Sequence, residues 1–246
     1  MICDLIVGQV HTNSMSSITY IETFSEGPGG WCGWQNGNIG PTVLEWRPGQ
    51  LISRSPWWID YNHAPPGAGY MHLLYSLGTF GAQGEAMREA GGANRFITGS
   101  FPTNLTDAQF TIKSAGELSL CGTKLLLLIQ GHVAGRVGGW LCTGQPLHIT
   151  DQVREQSIHL TADPKQWTAL GARHDRTDMY GVRPLADVLA HVDTSMLLVL
   201  YPLDVVPMGP LDGNPHHLRP DRDYPVWRHK LPEGYVVLEE IRIEFA

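Results

Sequence analysis

The chain has 246 residues, 42% of them hydrophobic, with eight tryptophans and eight tyrosines, enough apolar surface for a sizeable core without disulfide or metal staples, which excludes a wholly disordered chain. A formal net charge of -7 excludes a general electrostatic attraction to nucleic acid or to an anionic membrane surface. The four cysteines, Cys3, Cys32, Cys121 and Cys142, form no CxxC pair, so neither a disulfide scaffold nor a compact zinc motif is encoded.

MICDLIVGQVH at the start carries an apolar patch but no basic leader region or cleavage site, and no apolar run reaches the length of a membrane span. The expectation is a cytoplasmic protein, with export left open, in which residues 1–16 are an extension and 17–246 one jelly-roll domain. SITYIETF (17–24) is rich in β-branched and aromatic residues and ends at EGPGG, which predicts a strand closed by a turn. LISRS (51–55) and MHLLYSL (71–77) predict two more strands. The glycine- and alanine-rich stretch 78–95 leaves room for a short helical turn and no long helix.

Further along, AQFTIKS (108–114) and EQSIHLT (155–161) alternate apolar with polar residues, whereas GTKLLLLIQGH (122–132) reads as a more deeply buried strand. RVGGW (136–140), with Gly135 before it, reads as a flexible turn. PLADVLAHV (184–192) opens on proline and spaces Leu185, Val188, Leu189 and Val192 on one helical face. MLLVLYPL (196–203) and YVVLEEIRIEF (235–245) return to strand. Regular alternation in the last places Val237, Glu239, Ile241, Ile243 and Phe245 together, unless a bulge changes the register. Strands without intervening amphipathic helices define an all-β class, a β-sandwich with long loop insertions and one or two short helices; the jelly-roll form of it is what the following resemblance implies.

NLTDAQFTIKS, KLLLLIQG, SIHLTADPKQWTALG, PLADVLAHVDTSMLLVLYPL and YVVLEEIRIEF follow one another in the order that resembles the galactose-binding-like jelly roll of carbohydrate-binding modules, with Leu160 and Trp167 placed as in that pattern. The less close resemblance is to concanavalin-A-like sandwiches. The first resemblance implies a structural calcium between an early and a late acidic residue, for which Glu22 and Glu239 are the positional candidates and Glu240 the alternate. No other cofactor is implied.

Three polar clusters are candidates for ligand contact. In WWIDYNHAPPGAGY, alternation groups Trp57, Ile59 and Tyr61 on a core face and Trp58 and Asp60 on the other, with Asn62 and His63 at the start of the turn. GARHDRTDMYG supplies Arg173, His174, Arg176, Asp178 and Tyr180, and HHLRPDRDYPVW supplies His216, His217 and Arg219 within an insertion longer than a hairpin loop. Adjacent histidines on extended chain diverge, so the His216 and His217 pair is a metal site only if His63 or His174 approaches it.

These residues point to recognition of a carbohydrate or anionic sugar such as a uronate, and leave open whether the protein is an enzyme. A lyase-type reaction would use His63 or His174 for proton transfer, Tyr61 or Tyr180 in support, and Arg173 or Arg219 against developing carboxylate charge. Trp58, Asp60, Asn62, Arg176, Asp178, His216 and His217 would hold the ligand. The alternative is a non-catalytic module that binds carbohydrate or another protein. No HExxH, GxSxG or nucleotide-binding signature is present.

Overall fold

A computed structural model describes residues 18–36, 40–60, 70–80, 85–171, 180–209, 226–227 and 231–246. The expected strands form, together with shorter ones between them. In chain order they are β1 (Thr19–Glu22), β2 (Trp31–Asn36), β3 (Gly40–Thr42), β4 (Glu45–Arg47), β5 (Gln50–Arg54), β6 (Ile59–Asp60), β7 (Tyr70–Gly78) and β8 (Gln109–Ser119). They continue as β9 (Lys124–Val133), β10 (Arg136–Leu141), β11 (Arg154–His159), β12 (Thr168–Ala169), β13 (Ser195–Leu203), β14 (Val206–Pro207), β15 (Val226–Trp227) and β16 (Glu233–Glu244). Helices are short: α1 (Glu85–Gly91), α2 (Arg95–Thr98) and α3 (Leu185–Ala190).

Two antiparallel sheets make a sandwich. One runs β11-β8-β16-β5-β4, with β1 also paired to β16; the other runs β12-β10-β9-β13-β7-β2-β3, with β6 also paired to β7. The core between them is legible in β9 and β13. Leu125, Leu127 and Ile129 face it together with Met196, Leu198 and Leu200, while the alternate residues Leu126, Leu128, Leu197, Val199 and Tyr201 form a second buried cluster on the opposite face. A strand covered on both faces has no need of polar alternation, which is why KLLLLIQG reads as a continuous apolar run.

Tyr75 ties the sheets together near β5. Its fully buried hydroxyl accepts from Ser53 N at 3.1 Å and lies 3.1 Å from Leu51 O and 2.6 Å from Val236 O, and Ser53 Oγ donates to Leu74 O at 2.9 Å. Leaving a buried polar group unpaired costs about 1–3 kcal/mol, and these bonds satisfy the Tyr75 hydroxyl between the sheets.

At the far end, Tyr20, Phe96 and Phe101 pack with ring centroids 5.1 to 5.8 Å apart, and Phe245 stacks on Phe101 at 6.2 Å. Asn94 caps α2 through its acceptor and donates to Gly78 O at 2.8 Å. The apolar residues anticipated for α3, Leu185, Val188, Leu189 and Val192, are all buried.

Two local readings are corrected. RVGGW is not a turn but most of β10, because side chains press on its glycines: a Cβ at Gly138 would lie 2.7 Å from Arg183 Cβ, and one at Gly139 would lie 2.9 Å from Leu170 Cδ1. In β16 a bulge between Leu238 and Glu240 shifts the pairing with β8. Val236, Leu238, Ile241, Ile243 and Phe245 therefore share the core, and Glu239 does not join Ile241 there. Among the described residues no helix is long and apolar enough to cross a membrane.

Candidate functional site

The chain crosses from the eight-stranded sheet to the six-stranded one through Val43 and Leu44, between β3 and β4. A cleft of about 220 Å³ opens at this edge, lined by Trp34, Leu44, Glu45, Ser53, Arg54 and Trp57 among others. Gly33 leaves the space that Leu44 fills, since a Cβ there would stand 2.9 Å from Leu44 Cδ2. The cleft lies below the roughly 300–1,000 Å³ common for drug-sized ligands, a scale suited to a single ring.

Trp57 and Trp58 divide as alternation predicts. Trp57 is buried in the inter-sheet core and its indole nitrogen donates to Ser53 Oγ at 2.9 Å. Trp58 is half-buried and packs with the opposite cluster, its ring centroid 6.2 Å from that of Trp34 at a 35° tilt. Trp34 itself is half-buried on β2, and its indole Nε1 has no hydrogen-bond partner. Buried indole N–H groups ordinarily find an acceptor. That of Trp34 is enclosed and unpaired, so what the residue offers the cleft is its ring surface.

The rim is charged. Arg54 Nε donates to Glu45 Oε2 at 2.9 Å, and Arg47 binds the other oxygen of the same carboxylate. These bonds, that from Arg54 foremost, hold the Glu45 carboxyl below the usual carboxylate range. Tyr235 stands directly across from Arg54 in the β5–β16 register, and the guanidinium carbon lies 4.8 Å from its ring centroid. Among the described residues neither Nη nitrogen of Arg54 makes a hydrogen bond.

Most residues singled out from the sequence lie outside the described ones: Tyr61, Asn62, His63, Arg173, His174, Arg176, Asp178, His216, His217 and Arg219, and the side chain of Asp60 as well. The framework does fix where their segments are rooted. Residues 61–69 join β6 to β7, and Tyr70 at the start of β7 pairs with Leu203 of β13, whose chain runs on into 210–225. Tyr70 and Leu203 thus mark neighbouring strand ends at one end of the sheet. Residues 172–179 are rooted beside β10, where Leu170 N donates to Gly139 O and Gly181 N to Val137 O, and Tyr180 bridges Val137. Through the β9–β10 and β9–β13 registers that point stands about ten residues from Leu203, or roughly 30 Å along the strands at ~3.3 Å per residue. The cleft lies on the path into the first segment, since Trp57 lines it and Trp58 follows.

Glu22 and Glu239, the positional candidates for the calcium that the jelly-roll resemblance implies, and the alternate Glu240 each have a protein partner. Glu22 Oε1 accepts from Phe24 N at 2.8 Å and from Arg95 Nη1 at 3.3 Å, while Glu239 accepts from Gln50 Nε2 at 3.2 Å and Glu240 from Lys113 Nζ at 2.8 Å. Among the described residues no three His, Cys, Asp or Glu side chains gather as a metal-binding group. Cys32 and Cys142 are buried, and desolvation pushes their thiols up to about 12 and about 11, which makes both inert as nucleophiles near neutral pH.

Sequence reading passed over Trp34, Glu45, Arg54 and Tyr235. Each is an unremarkable residue in its own segment, and they acquire meaning through cross-strand pairing. The indication present in the sequence was aromatic density on both sides of LISRS. Comparison with known proteins finds no matching family model, no matching curated protein and no matching solved structure. The architecture of the described residues defines the class, an antiparallel two-sheet β-sandwich.

Proposed function

We propose that this protein is a galactose-binding-like jelly roll that recognises carbohydrate, uronates included, with the edge cleft as anchor for one sugar unit. The observation that carries the reading is the meeting in one cleft of an indole surface, at Trp34, and a charged rim at Arg54 and Glu45. Sugar rings offer apolar faces that suit indole and hydroxyls that suit guanidinium donors. The residues after Trp58, with Asp60, Asn62 and His63 among them, continue from this cleft and are the next candidates for contact.

Binding, rather than turnover, is what the cleft supports. Among its described lining residues the sole carboxylate is Glu45, which two arginines keep ionised, and no histidine stands beside it. A lyase reaction would depend on His63, Tyr61, His174, Tyr180, Arg173 or Arg219 reaching the bound sugar. Titration calorimetry on the intact protein with neutral sugars, their oligomers and the matching uronates tests the reading, with ultraviolet absorbance followed for unsaturated product. Binding without product supports the module, and unsaturated product moves the assignment to a lyase. No binding across the panel removes carbohydrate as the ligand.

A further inference from the structure

We infer that Arg54 is a carboxylate-reading residue that selects an acidic sugar over its neutral counterpart in the cleft. The inference rests on the carbohydrate reading and sharpens it. A guanidinium recognises a carboxylate best when its plane is fixed and two parallel N–H groups are open. Arg54 meets both conditions. Its Nε is committed to Glu45 and its face to Tyr235, which sets the plane, and the Nη edge has no hydrogen-bond partner among the described residues. The side chain is 48% exposed and lines the cleft, so a ligand reaches it without displacing a buried contact.

The surrounding charge favours an anion. Glu45 is shared by Arg47 and Arg54, so the three groups together carry one net positive charge. Glu117 lies across Tyr235 in the β8–β16 register, one strand further away on the same side, and faces solvent. A purely structural role explains little of this arrangement, because exposed ion pairs contribute little to stability. The position of Trp34 in the same cleft gives the sugar ring a surface while its carboxylate meets the fork.

Galacturonate with galactose, and glucuronate with glucose, form matched pairs that differ in the carboxylate. Calorimetry with each pair on the full chain tests the inference, alongside Arg54→Gln and Arg54→Lys. The parent protein is expected to bind one uronate about tenfold or more tighter than its neutral partner, a ratio set by one charge-assisted bidentate contact. Arg54→Gln should reduce the preference to within about twofold by weakening the uronate far more than the neutral sugar, and Arg54→Lys should restore part of it, as a point charge without the fork. Thermal midpoints of both variants should match the parent, which separates lost recognition from lost folding.

Equal affinity for acid and neutral sugar, or a preference that survives Arg54→Gln, overturns the inference and leaves the carbohydrate reading intact. Failure of all four sugars to bind removes the carbohydrate reading and the inference with it. Acetate or inorganic phosphate binding as tightly as the uronate also overturns it, because the site would then read charge without the ring.

Discussion

At the scale of single residues, the most unusual group is the Glu22 carboxyl. β1 turns it inward beside Tyr20, where it is 1% exposed, and Gly29 lies so close that an added Cβ would meet Oε2 at 2.0 Å. Oε2 is buried and accepts no hydrogen bond. Burial raises the pKa of this carboxyl, and the Phe24 N–H and Arg95 only partly oppose that rise. A folded-state pKa above the unfolded value means that the protonated carboxyl favours the fold at low pH, and that this contribution is lost as pH rises through the elevated pKa. Glu22→Gln, neutral throughout, should therefore gain stability relative to the parent across that rise and hold the gain above it. Urea midpoints from about pH 4 to about pH 8 measure this difference; a flat difference would show that the buried carboxyl titrates as it does in the unfolded chain.

The residue scale also marks where sequence reading stops. The opposed placements of Trp57 and Trp58 were legible because alternation is a local property. Arg54 was not, because its meaning lies in Glu45 on the neighbouring strand and Tyr235 on a third, distant in sequence.

At the scale of elements, the regular strands and α3 follow from periodicity, while glycine-rich strands do not. β10 looked like a turn because glycine is permissive; its neighbours Arg183 and Leu170, which make small residues necessary there, are distant in sequence. The same logic operates at Gly131 on β9, where α3 ends against the sheet. An added Cβ would lie 1.8 Å from the His191 carbonyl oxygen, a backbone atom with little room to retreat. Gly131→Ala should cost about 3 kcal/mol, the upper part of the overpacking range, as a drop in urea midpoint at constant slope. A loss below about 0.5 kcal/mol would mean that α3 is free to slide.

β11, an edge strand, is held by side chains that imitate a neighbouring strand. The Gln156 amide pairs with both the N–H and the carbonyl of His148, at 2.8 and 2.7 Å, and the Gln145 amide does the same for His159, at 3.1 and 2.9 Å. Such pairing occupies backbone groups that an exposed edge would otherwise offer to other chains.

At the scale of the whole molecule, β16 is the strand on which the six-stranded sheet depends. It pairs with β8 over nearly its full length and with β5 and β1 on its other side, so it joins elements from widely separated parts of the chain. The molecule's all-β class was legible from composition and strand order, whereas the central position of β16 was not, because it depends on pairing with distant strands; its polar outer residues form an ion-pair ladder in which Arg242 meets Glu155, Glu240 and Glu244. A chain stopping at residue 232 should lack a cooperative unfolding transition, since both β8 and β5 would lose a full ladder of hydrogen bonds; a sharp thermal transition with intact near-ultraviolet dichroism would contradict this.

That central placement has a consequence during synthesis. Until the ribosome has delivered residues 233–244, the slot between β8 and the paired β1 and β5 lies open along its length, and the sheet cannot close. The nascent polypeptide thus waits with a strand-shaped vacancy that any extended peptide of similar pattern can invade. The same vacancy offers a practical handle: a synthetic dodecamer of sequence EGYVVLEEIRIE, added in trans to the shortened chain, is the natural occupant and should reconstitute the native sandwich.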